Sequence, residues 1–254
     1  MLEAERHQTI IKEIKENGVV RVSDLSRLFD VSQNTIRRDL QKLEEEGLIR
    51  RTHGGAILKD FYDDVSPPFT IRETKFKDEK QRIGQKAAEF IQEGETIILD
   101  AGTTVAQVAK NINNKRDLTV ITNAVNVALE LSHHRGIVTI LTGGIIMETI
   151  NCLVGYPAEE FLSKVHVDKA FLAAGGVTVK EGLTNPNPFE VPAKKAMIKA
   201  AEEVILLVAH NKIGNIALAP IAPIEAVHKI ITDNGIPREE MELFQEKGIE
   251  VILA

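Results

Sequence analysis

The stretch Ser32-Gln33-Asn34-Thr35-Ile36-Arg37-Arg38-Asp39-Leu40 follows a short amphipathic segment, Val22–Phe29, across a tight turn at Val31-Ser32. This order predicts a helix, a turn and a second helix that Ser32 caps. Amide, hydroxyl and guanidinium side chains cluster at the start of the second helix, at Gln33, Asn34, Thr35, Arg37 and Arg38. When a helix-turn-helix docks on DNA, that end of the second helix contacts base edges in the major groove. The stretch therefore predicts sequence-specific DNA binding.

Apolar residues at helical spacing predict a three-helix core around this stretch. Ser23 is expected to cap the helix before the turn, with Asp24 in its first turn, where an acid suits the helix dipole. The residues expected to be buried lie on one face of each helix: Ile10, Ile11 and Ile14 near the N-terminus, then Leu25, Leu28 and Phe29, then Ile36, Leu40 and Leu43. The polar residues at the start of the third helix then face outward.

Residues 48–58 predict a β-hairpin, a wing, beside the helices. Gly47 is expected to end the third helix after the acidic run Glu44-Glu45-Glu46, and two apolar pairs then flank a basic, glycine-containing tip. We expect Arg50, Arg51 and His53 of the wing to lie close to DNA phosphates, and the three glutamates to point elsewhere. A surface helical hairpin with ordinary charges is the alternative explanation of residues 20–58.

The N-terminal segment resembles the signature of the DeoR family of bacterial transcriptional regulators. The resemblance rests on two sets of residues, Arg6, Ile10, Ile14, Ser32 and Thr35–Leu40, and the tail Gly47–Ala56. It implies a winged helix-turn-helix that usually serves as a repressor.

The composition of the chain argues against several other classes of protein. The chain has 254 residues, 43% of them hydrophobic, and a single cysteine, Cys152, so neither an internal disulfide nor a cysteine-rich metal site is expected. No metal or cofactor is expected. No apolar run is long enough for a membrane span, and the charged N-terminus does not fit a signal peptide, so the cytoplasm is the expected location. Residues 1–60 carry 11 basic and 11 acidic side chains, so the net charge of −6 belongs to the remainder.

The chain is expected to fold as two domains. Residues 1–58 form the DNA-binding domain, and residues 59–77, which break both periodicities and contain Pro67-Pro68, form a linker. From residue 78 to residue 254, amphipathic helices alternate with short apolar strands. This alternation predicts an α/β domain with a mostly parallel sheet covered by helices on both faces.

Three consecutive strand ends of this second domain carry small and polar residues. They are Asp100-Ala101-Gly102-Thr103-Thr104, which precedes a helix predicted over 104–112, then Thr122-Asn123-Ala124, and then Thr142-Gly143-Gly144. Ligands of open α/β sheets bind outside the carboxyl ends of the strands, and helix N-termini attract phosphate. We therefore expect an anionic group at Gly102, Thr103 and Thr104. Ordinary caps and tight turns are the alternative at each junction.

The second domain also resembles the sensor domain of the DeoR family, across nearly all of residues 72–254. The matching residues include Arg72, Leu99–Thr104, Thr122-Asn123, Gly143-Gly144, Gly182–Thr184, Glu190, Lys194–Met197 and Lys212–Gly214. The resemblance implies a fold like ribose-5-phosphate isomerase and a phosphorylated sugar or polyol as effector. Lys194 and Lys212 would supply charge near it, Asp100, Thr122, Asn123, Gly143 and Gly144 would line the site, and the loop 183–189 could serve as a lid.

Two departures from the family pattern favour binding without turnover. The loop Ala174–Thr178 carries no carboxylate, and Ala209-His210-Asn211 stands where an Asp is common before the lysine. The leading hypothesis is a repressor of a sugar or polyol operon that binds operator DNA as a dimer or tetramer. An isomerase-like enzyme with an added DNA-binding domain, using Glu148, Glu181 or Glu190 as a base, is the second. A nucleotide-binding sensor is the third, but no Gly-rich dinucleotide turn supports it.

Overall fold

A computed structural model describes residues 3–17, 20–46, 48–52, 54–58, 67–147 and 150–254. The chain divides into two compact units, Met1–Pro67 and Pro68–Ala254. Of the linker predicted over 59–77, residues 59–66 lie outside the described ranges, whereas residues from Pro67 onward are described. A helix occupies Phe69–Thr74 in the second unit, where the sequence predicted linker.

The first unit is a winged helix-turn-helix, as predicted. Its helices are α1 (Glu3–Asn17), α2 (Val22–Phe29) and α3 (Gln33–Glu45), and its strands are β1 (Val20–Arg21), β2 (Ile49–Thr52) and β3 (Gly55–Leu58). The strands form one sheet in the order β1-β3-β2, with antiparallel neighbours. Ile10, Ile14, Leu25, Ile36, Leu40 and Leu43 meet in a single hydrophobic core.

Two local expectations about α2 were wrong. Ser23 does not cap this helix, because α2 already begins at Val22, whose backbone N–H donates to Gly54 O of the wing at 2.7 Å. Leu28 is 57% exposed rather than buried. The buried stripe instead runs from Val22 through Leu25 to the half-buried Phe29, so the inward face is rotated away from Leu28.

The turn before α3 follows the prediction. Ser32 has an extended backbone, and its hydroxyl accepts a hydrogen bond from Thr35 N–H at 3.1 Å. This cap satisfies one of the N–H groups that the first turn of a helix leaves without an intrahelical partner. Ile36, Leu40 and Leu43 are buried, so the helix is fixed by its cap and by its inner face.

A buried ion pair joins α1 to α3. Arg6 Nε and Nη2 donate to the two carboxylate oxygens of Asp39 at 2.6 and 2.9 Å, and His7 Nε2 lies 3.2 Å from the same carboxylate. Burial alone would raise the pKa of Asp39, but the hydrogen bonds from Arg6 and His7 outweigh burial and hold the pKa below its usual value. The pair therefore fixes the orientation of α3 against α1.

Replacing Asp39 by Asn should destabilise the first unit by about 3 kcal/mol, because Arg6 is left buried with its main carboxylate removed. The matched control is Asp24→Asn, which removes the exposed partner of Arg27 and should change stability far less, because water screens exposed charges. Hydrogen exchange of α1 and α3 amides in the full chain measures both. Because the folded pKa of Asp39 is lowered, its contribution is present above pH 3.8 and is lost as pH falls through that folded pKa. Equal protection in the two variants would show that the pair is dispensable.

The second unit is built on a seven-stranded sheet. Its strands are β4 (Thr96–Leu99), β5 (Leu118–Thr122), β6 (Ile137–Leu141), β9 (Val167–Leu172), β12 (Ala201–Leu207), β14 (Lys229–Thr232) and β15 (Glu250–Leu253). They follow the order β15-β14-β12-β9-β4-β5-β6 across the sheet, and every neighbouring pair is parallel.

Helices cover this sheet, as predicted. They are α4 (Phe69–Thr74), α5 (Lys77–Ala88), α6 (Ala106–Ala109), α7 (Val125–Leu131), α8 (Tyr156–Leu162), α9 (Val191–Ala200) and α10 (Arg238–Glu246), with short 3-10 turns at Pro188–Glu190, His210–Lys212 and Ile224–Ala226. Alternate residues of the strands belong to two separate hydrophobic cores. Ile97 and Leu99 belong to one core and Ile98 to the other, so each face of the sheet has its own core.

Two small antiparallel sheets were not predicted. One is the hairpin of β7 (Ile145–Met147) and β8 (Cys152–Val154). The other joins β10 (Gly176–Thr178), β11 (Gly182–Asn185) and β13 (Ala219–Ala222).

The lid predicted at 183–189 is wrong. Its first residues form the central strand β11, and Leu183, Thr184, Asn185 and Asn187 are buried. The helix predicted over 104–112 is also too long, since α6 spans only Ala106–Ala109.

Candidate DNA-binding surface and effector site

The start of α3 presents the predicted polar side chains. Ser32, Gln33, Asn34, Arg37 and Arg38 are exposed, and Thr35 is half-buried. Arg37 donates to Asn34 Oδ1 at 2.9 Å and to Gln33 Oε1 at 3.2 Å, so three side chains of the first turns are already ordered by one another. Guanidinium and amide groups in this arrangement can donate to and accept from base edges in a major groove.

The wing differs from expectation in one contact. Glu44 does not point away, because its carboxylate accepts from Arg51 Nε at 2.9 Å and from Arg51 N–H at 2.8 Å. Glu44 lies on the last turn of α3 and so holds strand β2 against that helix. Glu44 therefore already neutralises part of the Arg51 charge. His53, Gly47 and the side chain of Arg50 lie outside the described residues.

The strand ends of the second unit converge where the sequence predicted. The register sets Leu99 beside Thr122 on one side and beside Phe171 on the other, so Asp100 follows between the ends of β5 and β9. Asp100 is fully buried and forms an ion pair with Lys194 of α9, which is also buried. The backbone of Ala173 hydrogen-bonds to both partners: its N–H donates to Asp100 Oδ2 at 2.9 Å, and its carbonyl accepts from Lys194 Nζ at 2.9 Å.

A second carboxylate shares this charged centre. Glu190 is buried, and Asn185 Nδ2 donates both to Glu190 Oε1 at 2.9 Å and to Asn187 O at 3.0 Å. Burial raises the pKa of Glu190; the nearby Lys194 opposes that shift and Asp100 adds to it. Burial would lower the pKa of Lys194, but Asp100 and then Glu190 outweigh it and keep the ammonium charged.

Three polar atoms of this centre have no hydrogen-bond partner within the described residues. They are Asp100 Oδ1, Asn123 Oδ1 and Asn187 Nδ2, all buried. Asn123 and Asp100 each follow one residue of the register pair Thr122 and Leu99. Asn187 is linked through Asn185 to Glu190, whose charge acts on Lys194. A buried acceptor or donor without a partner costs free energy, so such groups call for an explanation. Hydroxyl groups of a ligand would match two acceptors and one donor.

Several predicted contact residues have internal roles. Gly102 lacks space for a side chain, since an added Cβ would lie 2.4 Å from Ala173 Cβ. The Thr122 hydroxyl donates to Leu99 O at 2.7 Å and accepts from Ala124 N–H at 3.0 Å, which uses its donor. Thr103 and Thr104 are buried in the turn before α6.

The pair Gly143-Gly144 forms the turn into the β7–β8 hairpin. Both residues have positive φ, and an added Cβ on Gly144 would lie 2.6 Å from Val154 O. The structure thus gives this pair a backbone reason to be glycine.

Several positively charged side chains lie near one another at the same end of the sheet, where the strands reach their carboxyl ends. Phe76, between α4 and α5, packs edge-on against the His210 ring with centroids 5.2 Å apart, which brings this segment to the turn that carries Lys212. Burial, followed by the charges of Arg72 and Lys75, lowers the pKa of Lys212. Burial, followed by Arg72 and Lys212, lowers the pKa of Lys80 to about 8. Lys80 Nζ also donates to the Arg72 carbonyl.

Sequence reasoning missed several members of this edge. Lys75, Lys80 and Asn187 were not selected, and Glu190, which matches the family pattern, was given a role only as a base in the enzyme hypothesis. Nothing in their local sequence separates them from surface residues, and only the spacing of Lys80 on the inner face of α5, one turn before Ile83, could have indicated burial. Cys152 is buried, and burial raises the pKa of its thiol. The described residues contain no group of three metal-ligating side chains and no helix long and apolar enough for a membrane span.

A winged helix-turn-helix followed by an α/β unit with a polar strand-end site defines a two-domain DNA-binding regulator. Family models match both parts, the DeoR-like helix-turn-helix domain over residues 6–60 and the DeoR C-terminal sensor domain over residues 75–234. The chain belongs to the DeoR family of transcriptional regulators.

Bacterial relatives match this chain along its whole length. An uncharacterised helix-turn-helix regulator, YulB of Bacillus subtilis, is 38% identical over 99% of this chain and 96% of its own. The regulator GolR of Listeria innocua is 37% identical over the full length of both chains. The glycerol-3-phosphate regulon repressor of Escherichia coli is 34% identical, also over the full length of both. These relatives are named as transcriptional regulators or repressors.

Lys194→Met should destabilise the second unit by about 3 to 5 kcal/mol, because it leaves the Asp100 charge buried without its cation. Lys195→Met is the matched control, since Lys195 is the exposed next residue on the same helix. Thermal unfolding of the full chain measures both. Adding Asp100→Asn to Lys194→Met should recover part of the loss. A Lys194→Met chain as stable as the Lys195→Met control would mean that the pair does not hold the strand ends together.

Proposed function

We propose that this regulator represses an operon of sugar or polyol metabolism in the cytoplasm, and that a phosphorylated sugar or polyol bound at the strand ends controls its affinity for operator DNA. The start of α3 and the wing contact the operator. The effector lies at the carboxyl ends of β4, β5 and β12. The chain acts as a homo-oligomer, because one recognition helix reads too few base pairs for specificity.

The proposal of a bound effector rests on the buried polar atoms that have no hydrogen-bond partner among the described residues. Asp100 Oδ1 and Asn123 Oδ1 can only accept, and Asn187 Nδ2 can only donate. Neighbouring hydroxyl groups, each both donor and acceptor, satisfy this combination. A polyhydroxy compound therefore fits the polar part of the site better than a flat apolar ligand does. Thr103 and Thr104 line the adjoining turn.

The cations at the same edge favour an anionic group on that compound. Lys212 has two further cations, Arg72 and Lys75, as its main charged neighbours, and burial, followed by these two charges, lowers its pKa. An anion bound among them would replace repulsion by attraction and would raise the pKa values of Lys212 and Lys80 again. Lys194, by contrast, has its charge met by Asp100 and holds the site in place. This assignment puts the phosphate nearer to Lys212 than to Lys194.

Binding without turnover is the second part of the proposal. The loop Ala174–Thr178 lacks a carboxylate, Glu181 is exposed, and Glu148 lies outside the described residues. Of these three candidate bases, Glu190 lies inside the centre, where its Oε1 already accepts a hydrogen bond from Asn185 Nδ2.

The enzyme alternative has a specific basis and a direct test. Asp100, Lys194 and Glu190 form a buried group of the kind that can move protons. An isomerase would exchange a carbon-bound hydrogen of a sugar phosphate with solvent, so NMR in D₂O would show deuterium on the sugar. We expect no deuterium incorporation over days with any phosphorylated sugar that stabilises the chain. Incorporation that Glu190→Gln abolishes would establish the enzyme instead.

The double variant Arg37→Ala plus Arg38→Ala should lower operator affinity at least about thirtyfold, because each arginine can contribute a base contact worth about 1 to 3 kcal/mol. Folding should be unchanged, since both side chains are exposed. Fluorescence anisotropy with a selected operator fragment measures the affinity. The control is Arg116→Ala plus Arg238→Ala, which removes the same charge from the second unit. Equal affinities for the two double variants would remove α3 from the DNA contact.

Lys212→Gln should abolish the thermal stabilisation that phosphorylated sugars and polyols give the chain, while leaving the ligand-free chain at least as stable as before. The ligand-free result follows because Lys212 mainly faces other cations. The measurement is a thermal-shift screen of phosphorylated compounds beside their unphosphorylated forms. Lys199→Gln, an exposed lysine of α9, is the control. Unchanged stabilisation in the Lys212→Gln chain would place the phosphate elsewhere, and Thr103→Val would then test the Gly102 turn.

A further inference from the structure

The two outer edges of the seven-stranded sheet differ in chemistry. At one edge, Glu250 of β15 pairs with Lys229 of the neighbouring strand at 3.1 Å, and Arg82 Nε donates to the Ala254 carbonyl at 3.4 Å. An edge strand exposes unpaired backbone N–H and C=O groups, and charged side chains keep other strands from adding to them. The β15 edge is protected in this way.

The opposite edge has no such protection. Strand β6 pairs with β5 on one side, and no described strand pairs with its other side. The run from Gly136 to Met147, which includes β6 and β7, contains no charged residue. Val138 is 61% exposed, Leu141 is 44% exposed, and Ile146 of β7 is 61% exposed. We call β6 and β7 together the apolar edge. A flat apolar edge of this kind associates with another strand if nothing covers it.

We propose that the apolar edge is the contact between two copies of this chain, with β6 of one copy adding antiparallel to β6 of the other. The edge itself sets the requirements for its occupant. Its backbone groups need a second open strand edge, and its side chains need apolar, uncharged neighbours. Strand β6 of a second copy meets both requirements. A twofold axis pairs a strand with itself in antiparallel orientation, which makes the contact closed and self-complementary.

The requirement for symmetry supports a second copy over a different protein, and this step rests on the proposed function. A regulator with one helix-turn-helix per chain reads a repeated operator by presenting two of them in a fixed relation. A twofold contact between the second units would supply such a relation. The absence of charge also argues against a strongly charged partner, because nothing on the apolar edge would pair with it.

Val138→Glu tests the contact. Two carboxylates brought close together across the twofold axis repel, so the dimer dissociation constant should rise at least about tenfold. Sedimentation velocity of the full chain measures it. The control is Ile216→Glu, which puts the same charge on an equally apolar side chain that is 66% exposed on the loop before β13. A dimer that Val138→Glu leaves intact, or that only Ile216→Glu disrupts, overturns the proposal.

A crosslinking experiment tests the same contact if the Val138→Glu chain does not fold. The one native cysteine, Cys152, is buried, so Val138→Cys introduces the accessible thiol. A short bis-maleimide should link two copies through Val138→Cys and should not link Ile216→Cys. No linkage through position 138 overturns the contact. Operator affinity measured in parallel separates the two ideas, because a dimer without DNA binding would refute the proposed function and leave the apolar edge supported.

Discussion

The buried ion pair between Asp100 and Lys194 is the constraint on which the second unit depends. It joins the end of β4 to α9, and both partners also bond the backbone of Ala173 at the end of β9. Two charges removed from water are stable only when they meet each other and their remaining hydrogen bonds are filled. Among the described residues, Asp100 Oδ1 has no hydrogen-bond partner. The interaction that holds the strand ends together would therefore leave this oxygen as an acceptor for the ligand that we propose.

The first unit uses a similar device. Arg6 and Asp39 form a buried pair between α1 and α3, and the residues that we propose to contact DNA lie on the opposite, exposed side of α3. In both units a charge pair in the interior fixes elements that carry the side chains proposed to bind a partner. Such pairs contribute little net stability compared with apolar packing, and their value is in defining one geometry. Rigid placement of the contacting groups reduces the entropy lost on binding.

Local signals in the sequence predicted local structure well. Ser32 as a cap, the buried stripe of α3 and the apolar strands β4, β5 and β9 depend on neighbours within a few residues. The start of α2 could not be predicted in that way, because a hydrogen bond from Val22 to Gly54 of the wing sets it. The segment 183–189 has the composition of a loop, yet β11 is buried between β10 and β13, one of which lies more than thirty residues away.

For the candidate site, too, local features could be predicted from the sequence and long-range contacts could not. Glycines, threonines and Asn123 at strand ends were predicted to converge, since parallel strands end at one edge, and the strand register pairs Leu99 with Thr122, the residues that precede Asp100 and Asn123. The partner of Lys194 was not predicted, because Asp100 is 94 residues away in the chain. The clustering of the cations Arg72, Lys80 and Lys212 was not predicted either, because these residues belong to separate elements.

The central claim is that a polyhydroxy anion binds at these strand ends. A crystal structure of the full chain with a phosphorylated polyol that stabilises it tests the claim most directly. We expect the hydroxyl groups of the ligand to donate to Asp100 Oδ1 and Asn123 Oδ1, and its phosphate to lie beside Lys212. A ligand bound elsewhere, with the oxygens of Asp100 and Asn123 still without partners, would contradict it.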